Sequence, residues 1–185
     1  MLKKIGFVFV LMVVWVSFPA LAQKRRFGEL PTPPVPPACG DMGAKFEVKP
    51  SKGSQSARLE AGRALVYFIE QDNNNQFVTH TSRIGVDGTW MGATYGSSYF
   101  SFSVDPGVHH LCATTQTGMA TNDVLTALAH FTAEAGSVYY FEVKNNSMID
   151  ASMIYSNDVT LFPIDIDEGK YLTSWFPLVD SHRKK

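Results

Sequence analysis

Apolar and polar residues alternate along much of this chain, in short runs separated by turn residues, a period-two pattern that predicts strands. Residues 64–69 are aromatic and β-branched and end at the polar loop 71–76. Residues 77–81 resume the pattern, and 84–86 lead into Asp87-Gly88, the best hairpin signal in the chain, with residues 89–91 as the return. Residues 99–104 alternate cleanly. Phe100, Phe102 and Val104 are expected to face a core, and Ser101 and Ser103 water. Asp105-Pro106-Gly107 reads as a turn, 108–115 as the strand beyond it, 137–143 and 159–162 as later strands, with a further one near 148–154.

Residues 122–135 admit two readings. A helix would place Leu125, Leu128 and Ala129 on one face. A strand over 128–134 would alternate Ala129, Phe131 and Ala133 with His130, Thr132 and Glu134. The strand is favoured, because the aromatic strand at 139–141 follows within a two-residue turn, as in a hairpin. After Pro163, residues 167–174 read as one short surface helix. The expectation is all-β: a single immunoglobulin- or transthyretin-like sandwich of about seven to nine strands with a short C-terminal helix.

The N-terminus breaks the pattern. Lys3 and Lys4, the apolar run 5–16, and Ala20-Leu21-Ala22 ahead of Gln23 form a secretory signal peptide over residues 1–22, with cleavage expected after Ala22. The apolar run falls short of the ~20 residues that span a bilayer. No cysteine follows the cleavage site to carry a lipid. A periplasmic or secreted protein without a transmembrane segment is therefore expected. Residues 23–39 form a Pro-rich leader, with Pro31, Pro33, Pro34, Pro36 and Pro37 excluding helix and central strand. The sandwich domain is expected over 40–180, and 181–185 as a basic tail.

Export changes how two residues read. Cys39 and Cys112 are the whole cysteine content, and in an oxidising compartment an even pair is a candidate disulfide; the alternative is two separate thiols. Such a bond would pin residues 39–49 to the sandwich and let Phe46 and Val48 add to an edge.

Charge narrows the partners. Of 185 residues, 45% are hydrophobic and 18% charged, and the net charge is −1. Without Lys3 and Lys4 there remain 14 basic and 17 acidic side chains, a net −3. Nothing resembles a nucleic-acid footprint.

Chemistry-bearing motifs are sparse. Gly96-Ser97-Ser98 lacks the second glycine of a hydrolase elbow. Residues 72–76 resemble a calcium-loop start, but Phe77 and Arg83 stand where glycine and glutamate belong. Asp165, Asp167 and Glu168 are explained by helix capping. His109, His110 and Cys112 are the most suggestive metal cluster, yet on a strand only His110 and Cys112 share a face, half a site at most. No catalytic residue, metal or cofactor is assigned. The candidate binding residues are Trp90, Tyr95 and Tyr99, flanked by Gly92 and Gly96 around one hairpin, where exposed rings suit a sugar or a protein contact. The same rings could instead cap the core.

Five pieces in order resemble the bacterial domain-of-unknown-function family 2846: residues 64–69; Ile84-Gly85-Val86-Asp87-Gly88; Ser98-Tyr99-Phe100; Pro106-Gly107-x-His109-x-Leu111; and Ala133-Glu134-Ala135-Gly136-x-Val138-Tyr139-Tyr140-Phe141. The resemblance implies an exported envelope protein with a small sandwich of the PEGA or carboxypeptidase-regulatory kind. It implies no activity and no catalytic residues. The expected function is a non-enzymatic module binding an envelope protein or glycan; a passive spacer and a secreted enzyme with an unrecognised site are the alternatives.

Overall fold

Side-chain alternation decides which face of each strand meets its neighbour, and two sheets pack through their apolar faces. The computed structural model describes residues 35–53, 58–72, 79–116, 125–149 and 155–185. The expected signal peptide and most of the Pro-rich leader lie outside them, as do 73–78 and 150–154. One sheet has the order β5 (Ser98–Val104), β2 (Ala64–Asp72), β8 (Val138–Ile149), β9 (Tyr155–Ile164). The other has the order β4 (Thr89–Tyr95), β3 (Thr81–Val86), β6 (Gly107–Thr115), β7 (Thr126–Ala133). The β2–β8 pair is parallel and the remaining pairs within both sheets are antiparallel. The fold is an all-β sandwich with one C-terminal helix, α1 (Ile166–Trp175).

Phe68, Phe100 and Phe141 from the first sheet meet Ile84, Leu111 and Ala113 from the second in a closed core. Phe68 stacks on Phe102 and Phe141 at ring-centre distances of 5.6 and 5.5 Å. Ala127, Ala129 and Phe131 pack against this core while Leu128 and His130 are exposed, so the contested segment is a strand with the expected alternation. It does not form a hairpin with the next strand: β7 and β8 belong to opposite sheets, and residues 134–137 carry the chain across, with Gly136 at φ 80°. The Asp87-Gly88 turn has positive φ at both residues, the backbone a tight hairpin requires.

Phe46 and Val48 were expected to add to an edge, and they do so in a strand whose partner was not expected. β1 (Phe46–Pro50) and β10 (Val179–Arg183) form an antiparallel ribbon. It lies against β4 and β5, consecutive strands at the edges of opposite sheets. Val179 enters the core, and the Ser181 hydroxyl accepts from Ala93 N–H at 2.9 Å. Residues 181–183, expected as a basic tail, thus complete a strand; their charged side chains hid the backbone pairing. The helix starts on Asp165, whose side chain accepts from Asp167 and Glu168 N–H. It packs on the outer face of the first sheet through Gly169 and Leu172, against Ile69 and Tyr140.

Candidate functional site

Cys39 and Cys112 form a disulfide with a Cα separation of 5.2 Å. Cys112 lies on β6 between Leu111 and Ala113, which face the core, so its sulfur points to the outer face of the second sheet. The bond lays residues 35–44 on that face. Gly88 N–H donates to Ala38 O, Trp90 Nε1 to Asp41 O at 2.7 Å, and Arg83 Nη1 to Met42 O and Ala44 O. Trp90 is half-buried beneath this arm, with the Arg83 guanidinium 4.9 Å from its ring centre. A Cβ on Gly40 would stand 2.6 Å from the indole, so glycine permits the close approach.

The three aromatic residues proposed from sequence are not brought together. Trp90 belongs to the arm just described. Tyr99 lies on the outer face of the first sheet, half-buried in a cluster with Tyr67, Tyr140, Leu172 and Phe176. Burial there raises the ionisation of Tyr99 and Tyr140 above the ordinary phenol value. Tyr95 is exposed at the end of β4. The rings are close in sequence, but β4 and β5 diverge into opposite sheets, which separates Tyr99 from the other two.

Carboxylates inside the fold are closed to solvent. Glu70 points between the sheets and is fully buried; its Oε1 accepts from Ser82 Oγ at 2.8 Å and from the Asn145 amide, which also donates to Ser82 Oγ. Thr94 donates to Ser82 O and adds to this polar layer. Sequence reasoning missed it, because Glu70 extends an apolar strand and its partners Ser82 and Asn145 come from two strands distant in sequence, one in each sheet. Glu142, on the outer face, is also buried. Desolvation pushes its carboxyl up, against the lowering effect of Lys144 Nζ at 3.1 Å.

Histidines divide by role. His109 Nδ1 meets Asp87 Oδ2 at 2.6 Å and its Nε2 meets Asp105 O at 2.7 Å. A carbonyl and a carboxylate only accept, so this arrangement favours the imidazolium, which donates from both nitrogens. Burial would lower its pKa, but these two partners outweigh that and raise it; Asp87 is held below the usual carboxylate range by His110 N–H and His109, against its own desolvation. His110 faces away from His109, as strand geometry demands, and stands opposite His130 of β7.

Among the described residues, a cleft and an exposed ring pair stand out on the surface. A cleft of about 310 Å³ runs along β10, lined by Met91, Phe100, Leu178, Val179, Asp180 and His182 among others. The second is on α1, where Tyr171 and Trp175 are 61% and 71% exposed with ring centres 6.3 Å apart. One helical turn separates them, which aims both rings off the same face. Gly169 and Leu172 hold an adjoining side of the helix down on the sheet, so the rings are carried on a fixed support.

No family model and no curated protein matches this chain. Among solved structures, an NMR structure of a protein from Eubacterium rectale is similar, with 19% identity, a TM-score of 0.32, and coverage of 58% of this chain and 94% of that one.

Proposed function

We propose that the protein is an exported, non-enzymatic β-sandwich module of the family-2846 kind that docks onto an envelope protein through Tyr171 and Trp175. The observation that carries this reading is the exposed ring pair on a helix anchored to the sheet along its flank. Tyr and Trp dominate binding hot spots, because they offer large contact area at little conformational cost. A convex helix face presenting anchors one turn apart suits a partner's groove. A glycan is the second occupant of the same rings, by stacking on their faces. The Cys39–Cys112 bond supports export, since disulfides persist in oxidising compartments. Among the described residues no helix is long and apolar enough to cross a membrane. Burial of Glu70 and Glu142 supports a binding role over catalysis, because neither carboxylate reaches a substrate from solvent.

Quantitative co-purification from envelope extract tests the proposal, with the wild type set against the Tyr171→Ala/Trp175→Ala double variant. The expected result is one protein enriched by the wild type and lost by the variant. Equal capture by both, or retention on purified cell-wall glycan alone, would overturn the protein-docking reading.

A further inference from the structure

We propose that His110 and His130 chelate a divalent late-transition-metal ion, Cu²⁺ foremost, on the exposed outer face of β6 and β7. The two residues are directly opposed in the antiparallel register. Their ring centres are 6.3 Å apart, with the planes inclined by 41°. Two imidazoles in adjacent positions of a tetragonal Cu²⁺ ion have ring centres roughly 4.5 Å apart when each metal–nitrogen bond is about 2.0 Å. Both residues are exposed, which leaves their side chains room to turn toward a shared ion.

Being both uncommitted and paired separates these histidines from the others, since His182 stands opposite no histidine on the ribbon. His109 has both nitrogens committed to Asp87 and Asp105, and His80 is fully buried. Neither the His110 nor the His130 ring takes a hydrogen bond from any described residue, so each has a nitrogen to offer. Asp87 Oδ1 accepts from the His110 backbone N–H at 2.8 Å, which leaves the imidazole of His110 uncommitted. The Cys112 sulfur, two residues along the same face, is consumed by the disulfide and is no ligand. Among the described residues no group of three or more His, Cys, Asp or Glu gathers for a metal. The pair therefore supplies two ligands and water the rest. Imidazole ligation selects Cu²⁺, Ni²⁺ and Zn²⁺ over Mg²⁺ and Ca²⁺, and the divalent-ion stability order puts Cu²⁺ first.

Titration of CuCl₂ into the disulfide-intact protein, followed by calorimetry and electron paramagnetic resonance, tests this. The expected result is one Cu²⁺ per chain with nitrogen ligation. His110→Asn and His130→Asn should each weaken binding by about tenfold or more, whereas His182→Asn, on the ribbon, leaves it unchanged. Circular dichroism verifies that each variant keeps its strands, and Gln replacements repeat the test if an Asn variant does not. Binding weaker than about 100 μM, or an affinity unmoved by either replacement, would overturn the proposal.

Discussion

Gly169 of α1 rests directly on the ring of Tyr140: a Cβ added there would stand 2.2 Å from Tyr140 Cγ. This contact lets the helix approach the sheet closely enough for Leu172 to join Ile69 and Tyr140. Alanine at position 169 improves helix propensity by roughly 1 kcal/mol, but overpacking costs about 1–3 kcal/mol or more. The clash wins, because the obstacle is a ring packed into its own cluster. Gly169→Ala should lower Tm by several degrees in thermal denaturation; an unchanged or raised Tm would show that the helix is not held at this point.

Removing the disulfide should cost roughly 2–4 kcal/mol, since the bond closes a loop spanning 73 positions. Cys39→Ala/Cys112→Ala, or reduction of the wild type, should lower Tm and release the arm from Trp90, shifting its emission to the red. Mass spectrometry after alkylation without reductant should find neither cysteine modified. Two alkylated thiols would contradict the account.

His109 predicts a loss of stability toward alkaline pH. Its folded pKa is raised, so its contribution is complete below the unfolded value, about 6.5, and is lost as pH rises through the higher folded value. Asp87 works in the opposite sense: its folded pKa is lowered, and its contribution disappears only as pH falls through that value. Urea unfolding of the wild type should weaken between neutral and mildly alkaline pH, and His109→Gln should remove that slope. A slope that persists in the variant would assign the effect to another group.

Glu142 predicts a stabilising substitution. Its carboxyl is pushed up by burial, so the ionised form burdens the folded state at neutral pH and the burden eases on acidification. Gln keeps the shape without the charge, and Lys144 retains the Phe162 ring 5.0 Å from its ammonium. Glu142→Gln should raise Tm at neutral pH and gain less in acid. A fall in Tm would mean that the Lys144 ion pair outweighs desolvation.

Local pattern was a sound guide to the strands and a poor one to their neighbours. Phe100 and Val104 fell inward because alternation is a property of one strand, and Asp87-Gly88 turned because positive φ is a property of two residues. Pairing depends on residues far apart. β10 escaped notice, unlike its partner around Phe46 and Val48, because it offers mainly Val179 to the core and charged or polar side chains elsewhere. The apparent hairpin at Ala133–Val138 instead crosses between sheets, since a turn of that length serves either route. The same blindness to register hid His130 from His110. Trp90 and Tyr99 looked like one patch because sequence proximity was mistaken for a shared face. Tyr171 was visible as a residue of the expected helix 167–174, with Trp175 just past its end, but which side of the helix the sheet would cover was not.

Fluorescence of Trp175 tests the central claim most directly. With Trp90→Phe in the chain cleaved after Ala22, Trp175 is the remaining tryptophan. Its emission should be that of a solvated indole, readily quenched by acrylamide. Addition of the co-purified envelope protein should shift the emission to the blue and protect it from quenching, with Tyr171→Ala weakening the response. A complex that forms while Trp175 stays fully quenchable would contradict the account.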